Sequence, residues 1–160
     1  MEMELPKPTS GHDRLAFLCG SWVGEEVIHP SQWDRNGGTA VGHVESRLDL
    51  GGFFLISDYA QERNGIITHR GHGVYGFDVE SAEYTLAWFD ATGGGVHFPP
   101  ARGVFADQSL VLRQTGPFGH SRFTYEDQGP GKYGMLLEVS TDGDAWTPFL
   151  EGAYVRRSSD

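Results

Sequence analysis

The sequence has little of what marks several large classes of protein. It contains one cysteine, Cys19, so no disulfide bond can form within the chain. It has no apolar run long enough for a membrane helix, and its first residues lack the apolar core of a secretory signal. Lysine and arginine number 12 against 22 acidic residues, and the formal net charge of −10 argues against a phosphate-binding surface. These absences predict a cytoplasmic protein with no nucleic-acid partner and no membrane partner.

Helical periodicity is nearly absent as well. Residues 12–18 alone predict one or two helical turns, which follow Ser10 as the N-cap and stop at Gly20. The 23 glycines fall largely in turns such as Asn64-Gly65, between runs rich in Val, Thr, Tyr, Phe and Ile. The chain therefore predicts strands and tight turns, with far less helix than a globular protein usually has.

Ten such runs predict ten β-strands, at residues 21–29, 39–50, 53–62, 66–77, 84–90, 102–106, 110–115, 120–126, 132–141 and 146–156. A meander with so many short strands must hide its edges, and closure into a barrel does so. We predict an all-β fold, a single antiparallel up-and-down β-barrel of about ten strands with a short N-terminal helix that plugs one end. The barrel domain spans residues 12–157, and residues 1–11 form a flexible arm.

One motif at the start of the first strand resembles that of a known superfamily. Gly20-Ser21-Trp22-Val23-Gly24 resembles the Gly-x-Trp-x-Gly signature of the calycins, which include lipocalins, fatty-acid-binding proteins and nitrobindin. Five further segments resemble, in order, a largely bacterial family of lipocalin-like barrels catalogued as a domain of unknown function: 58–62, 70–78, 84–90, 119–122 and 146–152. The resemblance implies a fold, and that family supplies no activity.

Haem is the cofactor to which the resemblance draws attention. Nitrobindin holds haem through a histidine on its last strand, whereas this chain has Phe149 or Glu151 in the comparable place. Glu25-Glu26 also replaces the glycine repeat that follows the tryptophan in nitrobindin. We therefore expect no cofactor, with Tyr154 as the one alternative ligand because phenolate binds ferric iron elsewhere.

The candidate ligand-binding residues form an apolar and a polar group. The apolar group should face the barrel interior, as packing or as the wall of a cavity, and consists of Trp22, Tyr75, Trp88, Met135 and Tyr154. The polar group consists of His72, His120, Arg122 and Glu151. No catalytic triad, phosphate loop, dinucleotide motif or metal-ligand spacing is present, so we predict neither catalytic nor metal-binding residues.

The direction of the polar group is open. Strict alternation turns His72 outward, so that a binding role needs a bulge near Gly73 or a site on the outer wall. His120 and Arg122 also fall on the more polar face of their strand, although a place at the barrel rim would let them hold a carboxylate. For Glu151 neither face of the strand is the obvious core face, and an inward carboxyl group would need a partner.

Three functions follow from these patterns. The favoured one is binding of a small, mostly apolar molecule in the barrel cavity. The first alternative is an isomerase or hydrolase on the same fold, with Glu151 and a histidine as acid and base. The second is a filled barrel that acts as a homodimeric interaction module, with residues 53–56 as the interface because that strand starts apolar on both faces.

Overall fold

The computed structural model describes residues 2–158, and its regular secondary structure is mainly β-strand. A helix α1 (Ser10–Asp13) runs into a 3₁₀ turn (Arg14–Leu18), and a second 3₁₀ turn (Leu50–Gly52) joins two strands. The strands are β1 (Gly20–Ile28), β2 (Gly38–Asp49), β3 (Phe54–Arg63), β4 (Ile66–Asp78), β5 (Glu83–Asp90), β6 (Ala101–Ala106), β7 (Ser109–Gly116), β8 (Gly119–Asp127), β9 (Lys132–Ser140) and β10 (Thr147–Arg156).

The strands form one closed antiparallel barrel in chain order. Each strand pairs with its neighbours in sequence, and β1 closes the ring on β10 with Val23 opposite Val155. Closure gives every strand a partner on both sides, although β5 and β6 pair over three residues only, and it removes the free edge strands on which sheets aggregate. The predicted all-β barrel of ten antiparallel strands with a short N-terminal helix is confirmed.

Alternation along the strands decides which side chains face the interior. On β1, Trp22, Gly24, Glu26 and Ile28 are buried, while the residues between them are half-buried or exposed. This period of two is the geometry of a pleated strand with one face turned to the core.

The N-terminal helical segment fills one end of the barrel. Leu15 and Leu18 are buried in the main hydrophobic cluster, and Phe17 packs edge-on against Phe105 at 6.0 Å between ring centroids. Trp22 is 1% exposed and donates its indole N–H to the carbonyl oxygen of Leu18 at 2.9 Å. The helix is therefore the plug that the sequence predicts, and Trp22 lies directly inside it.

Two β-bulges interrupt the alternation at the other end. Between β3 and β4 the register passes from Gln61–His69 to Glu62–Ile67, which leaves Thr68 as the extra residue. Between β9 and β10 the register shifts around Phe149. A bulge lets two successive residues point to the same side of a sheet. Below both bulges the alternation set by the closed end is unchanged.

The strand that starts apolar on both faces has a local explanation. Leu55 is fully buried in the core, whereas Phe53 packs edge-on against the ring of His12 at 5.3 Å. Phe54 points outward and is 38% exposed.

Within residues 2–158, no helix is both long enough and apolar enough to cross a membrane.

Candidate functional site

The barrel encloses a cavity of about 530 Å³. It lies beyond the tightly packed end and extends to the mouth formed by the loops at the end opposite the plug. The deeper wall is mostly aromatic and apolar, and includes Tyr75, Trp88, Phe123, Tyr125, Tyr133 and Met135. A volume of this size is typical of sites for small organic molecules.

A buried carboxyl group lies behind one wall of the cavity. Glu26, on β1, is 1% exposed, and its oxygens accept hydrogen bonds from Tyr59 Oη at 2.7 Å and Gln61 Nε2 at 3.2 Å. The hydroxyl group of Tyr154 on β10 is a third donor to the same carboxylate. Within residues 2–158 the Glu26 carboxyl group thus accepts hydrogen bonds from neutral side chains only. All three of these side chains also line the cavity.

The two tyrosines that contact Glu26 are held in their protonated form. Burial raises the pKa of Tyr59 and of Tyr154, and the negative charge of Glu26 raises both further. A phenol that cannot ionise remains a hydrogen-bond donor at every physiological pH. These hydroxyl groups are committed to Glu26 and do not offer their protons to a ligand.

Glycines on neighbouring strands make room for this arrangement. A β-carbon at Gly42 would run into the Glu26 carboxylate and come within 2.9 Å of the Tyr154 ring. A β-carbon at Gly71 would overlap the indole of Trp88 on the adjacent strand. The glycines inside β2 and β4 therefore mark close approach of a large side chain to the backbone, as in-strand glycines often do.

Four tyrosines form the floor of the cavity. Tyr75 Oη donates to Tyr125 Oη at 2.8 Å, and the two rings meet edge-on at 5.6 Å. Tyr133 stacks on the ring of Tyr154 at 4.8 Å between centroids and lies nearly perpendicular to the ring of Trp22 at 4.7 Å. Contacts of this kind add to the burial of each ring and hold the floor rigid.

A salt bridge anchors the loop between β1 and β2 at the mouth. Arg63 donates to Asp34 Oδ2 at 2.8 Å and to the carbonyl oxygen of Gly37 at 3.0 Å. The hydrogen bond from Arg63, followed by that from the Gly37 amide, holds the pKa of Asp34 below its usual value. On the same loop Trp33 packs edge-on against Phe149 at 6.1 Å and is still 68% exposed. The mouth thus combines one ion pair with apolar side chains.

Four of the five predicted apolar residues line the cavity. Tyr75, Trp88, Met135 and Tyr154 all contribute to its wall. Trp22 lies below the floor, where Tyr133 and the plug cover it, and belongs to the packed end of the barrel. The role of each residue in ligand binding stays a prediction.

None of the four predicted polar residues lines the cavity. His72 points outward and hydrogen-bonds Asp58 at 2.7 Å, and Arg122 donates to Glu138 at 2.9 Å. His120, near the start of β8, also lies outside the lining. These residues follow the plain alternation of their strands, since no bulge lies between them and the tyrosines that fix the inward phase.

Glu151 is likewise on the outer face. Leu150 and Tyr154 line the cavity, so alternation turns Glu151 outward, where it lies 3.0 Å from His29 Nε2. Two other histidine–carboxylate pairs occur within residues 2–158, His43–Glu62 and His72–Asp58, and neither pair lines the cavity. The acid–base pair that the enzyme hypothesis requires is therefore not assembled in the concave site by these residues.

Sequence reasoning missed Glu26 and His69. Glu26 was detectable, because it lies four residues after Trp22 on β1, and residues an even number apart share one face of a strand. His69 lines the mouth together with Thr68, and the bulge that turns both inward leaves no distinct mark in the sequence. The bulge on this strand lies near the mouth, away from Gly73, where a cavity role for His72 would have required one.

Two cavity side chains, a histidine and Tyr154, match the haem ligands considered from the sequence, and neither is free in the deep part of the cavity. His69 is the one histidine in the described lining and lies at the mouth, and the Tyr154 hydroxyl is bonded to Glu26. Across the described chain, no cluster of three or more His, Cys, Asp or Glu side chains is arranged to hold a metal ion.

Comparison with known proteins places the chain among barrels of similar shape. No curated protein matches its sequence. The crystal structure of Rv2717c from M. tuberculosis superimposes with a TM-score of 0.66 at 14% identity, covering 94% of this chain and 99% of that one. The S-type phycobiliprotein lyase CPES from Guillardia theta gives a TM-score of 0.63 at 10% identity, covering 94% and 93%. At these identities the likeness shows the fold alone. The model of a family described as "Protein of unknown function (DUF1579)" matches residues 7–156, and the chain therefore belongs to that family.

Proposed function

We propose that this protein binds a small, mostly apolar molecule inside its barrel. The observation that carries the proposal is the cavity of about 530 Å³, which opens at one end and is closed at the other by a packed plug. A barrel that served only as a scaffold would have its interior filled by side chains. The size and the aromatic wall of this cavity are those of a ligand site.

The closed barrel and the Gly20-to-Gly24 motif support a lipocalin-like relationship as part of the proposal. The name of the phycobiliprotein lyase from Guillardia theta agrees with a barrel that handles another molecule, but at 10% identity it identifies no ligand here. A reducing, cytoplasmic setting suits the free thiol of Cys19. A bacterial origin rests on the family resemblance.

The alternatives receive less support from the geometry. The acid–base hypothesis loses Glu151, which lies outside the cavity and pairs with His29; His69 and Asp90 both line the mouth but form no hydrogen-bonded pair within residues 2–158. The dimer hypothesis loses part of its motive, because Leu55 packs in the core and Phe53 packs against His12. A homodimer through the outward Phe54 stays a prediction.

A filled-cavity variant tests the proposal. Ser121 on β8 lines the cavity, whereas Thr124 on the same strand does not. Ser121→Trp places an indole inside the barrel, and Thr124→Trp places one on its outer face. We expect the neutral dye Nile red to bind wild type with one site per chain. Ser121→Trp should weaken that binding about ten-fold or more, a change of about 1.4 kcal/mol.

The Thr124→Trp control separates occupation of the cavity from general effects of an added tryptophan. It should bind Nile red within about two-fold of wild type. Circular dichroism and thermal melting of each variant establish that the barrel is folded. Equal binding by wild type and a folded Ser121→Trp would contradict the proposal, because the dye would then bind elsewhere.

A further inference from the structure

The hydroxyl group of Tyr133 has no partner in the described protein. Tyr133 on β9 is 4% exposed and lines the cavity, and within residues 2–158 its Oη takes part in no side-chain hydrogen bond. The atom still touches the cavity, since no side-chain oxygen or nitrogen that is completely buried lacks a partner in the described chain. Because this hydroxyl group faces the cavity and has no side-chain partner there, it can donate a hydrogen bond to an acceptor on a molecule bound in the cavity.

A second hydroxyl group lies beside it. Tyr125 on β8 is 8% exposed, pairs in register with Met135, and so lies diagonally across from Tyr133 on the same inward face. The bond from Tyr75 to Tyr125 uses the proton of Tyr75, which leaves the proton of Tyr125 without an acceptor among these residues. The floor thus offers two phenolic donors and no matching acceptor.

We propose that the ligand carries a neutral hydrogen-bond acceptor, the carbonyl oxygen of a ketone, ester or amide, which receives the O–H of Tyr133 at the cavity floor. This inference rests on the proposed function and adds the chemical class and the orientation of the ligand. The acceptor end points toward the plug, and the apolar body lies along Trp88, Phe123 and Met135 toward the mouth.

The charges around the floor exclude an anionic acceptor there. Glu26 places a carboxylate behind the Tyr154 ring, on which Tyr133 stacks. Arg63 is the one arginine or lysine in the described lining, and it lies at the mouth, paired with Asp34. A ligand carboxylate at the floor would be buried beside a like charge with no cation in reach, whereas a carbonyl oxygen carries no such cost.

The donors keep their protons over the whole physiological range. Burial raises the pKa of Tyr133 far above its usual value, with further contributions from Tyr125 and Glu26. Burial also raises the pKa of Tyr125 to about 12. Both hydroxyl groups therefore remain hydrogen-bond donors, and they match a ligand group that accepts a hydrogen bond.

A matched pair of ligands tests the inference. 2-Acetylnaphthalene and 2-ethylnaphthalene have the same ring and nearly the same size, and only the first carries a carbonyl oxygen. Isothermal titration of wild type, Tyr133→Phe and Tyr84→Phe gives the affinity ratio of the two compounds for each protein. Tyr84 is the control, because its hydroxyl group donates to the Gly11 carbonyl at the plugged end and does not line the cavity.

We expect wild type and Tyr84→Phe to prefer the ketone by about five-fold, and Tyr133→Phe to lose that preference while it retains affinity for the hydrocarbon. The infrared carbonyl stretch of bound 2-acetylnaphthalene should shift to higher frequency in Tyr133→Phe, which a merely structural role would not cause. Equal affinities of wild type for the two compounds would overturn the inference alone. A preference that survives in Tyr133→Phe would do the same. Binding of neither compound would overturn the proposed function, and the inference with it.

Discussion

Glu26 shows at the scale of a single residue how the interior tolerates a charge. A buried carboxylate usually needs a cation, and the removal of one partner from such a group is strongly destabilising. Here three neutral donors, Tyr59, Gln61 and Tyr154, replace the water that the carboxylate loses. The same bonds hold two aromatic rings of the cavity wall, so the acid orders the wall although it does not line the cavity itself.

Removal of the Glu26 carboxylate should therefore destabilise the fold. Glu26→Ala leaves the hydroxyl groups of Tyr59 and Tyr154 without their acceptor and opens a void. We expect the free energy of unfolding in urea to fall by about 1–3 kcal/mol. Glu25→Ala is the control, since Glu25 is exposed on the outer face of the same strand and its loss should change stability by less than about 0.5 kcal/mol.

The pH dependence of stability gives a second readout of the same substitution. Because the pKa values of Tyr59 and Tyr154 are raised in the folded state, only the unfolded state releases their protons as the pH rises above about 10. Wild-type stability is thus unaffected by these groups below that pH and falls above it. Without the charge of Glu26 the folded-state pKa values are less raised, so the fall should begin at the same pH and end at a lower pH. A Glu26→Ala variant as stable as Glu25→Ala, with the same alkaline profile as wild type, would contradict this role.

At the scale of the strand, the pairing of a small residue with a large one shapes the cavity wall. Gly71 on β4 leaves the space that the indole of Trp88 on β5 occupies. The two residues lie on neighbouring strands, in the register that pairs Gly71 with Asp90 and Gly73 with Trp88. The two positions are expected to be coupled in packing, because a larger residue at position 71 needs a smaller one at position 88.

The pair should behave as coupled in a double-mutant cycle. Gly71→Ala pushes a methyl group into the indole and should destabilise the protein by about 1–3 kcal/mol. In a Trp88→Phe background the smaller ring leaves room for the methyl group, so the same substitution should cost clearly less. The measurement is urea unfolding of the wild type, both single variants and the double variant. Strictly additive losses would show that the two residues do not share the space.

The strands were predictable from sequence because turns and alternation are local signals. Glycine-rich turns separate the ten runs, and the face that carries Trp22, Gly24 and Ile28 on β1 identifies the interior. The bulges were not predictable, because one extra residue in a ladder depends on the register of its partner strand. That is why His69 was missed at the mouth, and why the direction of Glu151 stayed open until the register of β10 was known.

At the scale of the whole molecule, the barrel has one packed end and one open end. The helical plug, Trp22 and Leu15 fill the first, while the loop that carries Trp33 and the end of β3 that carries Arg63 lie around the second. No acidic side chain lines the deep wall of the cavity in the described chain, and the carboxyl group of Glu26 behind that wall is hydrogen-bonded by neutral donors. Because one end of the barrel is packed and the other is open, the interior is accessible from one end only. A container for one small molecule requires this arrangement.

The most direct test of this account is native mass spectrometry of the protein with an excess of 2-acetylnaphthalene. The account predicts one non-covalent ligand mass per chain in wild type and in Thr124→Trp, and a marked loss of that complex in Ser121→Trp. Bare chain in all three proteins, or the same number of ligand adducts in all three, would show that the cavity is not a binding site.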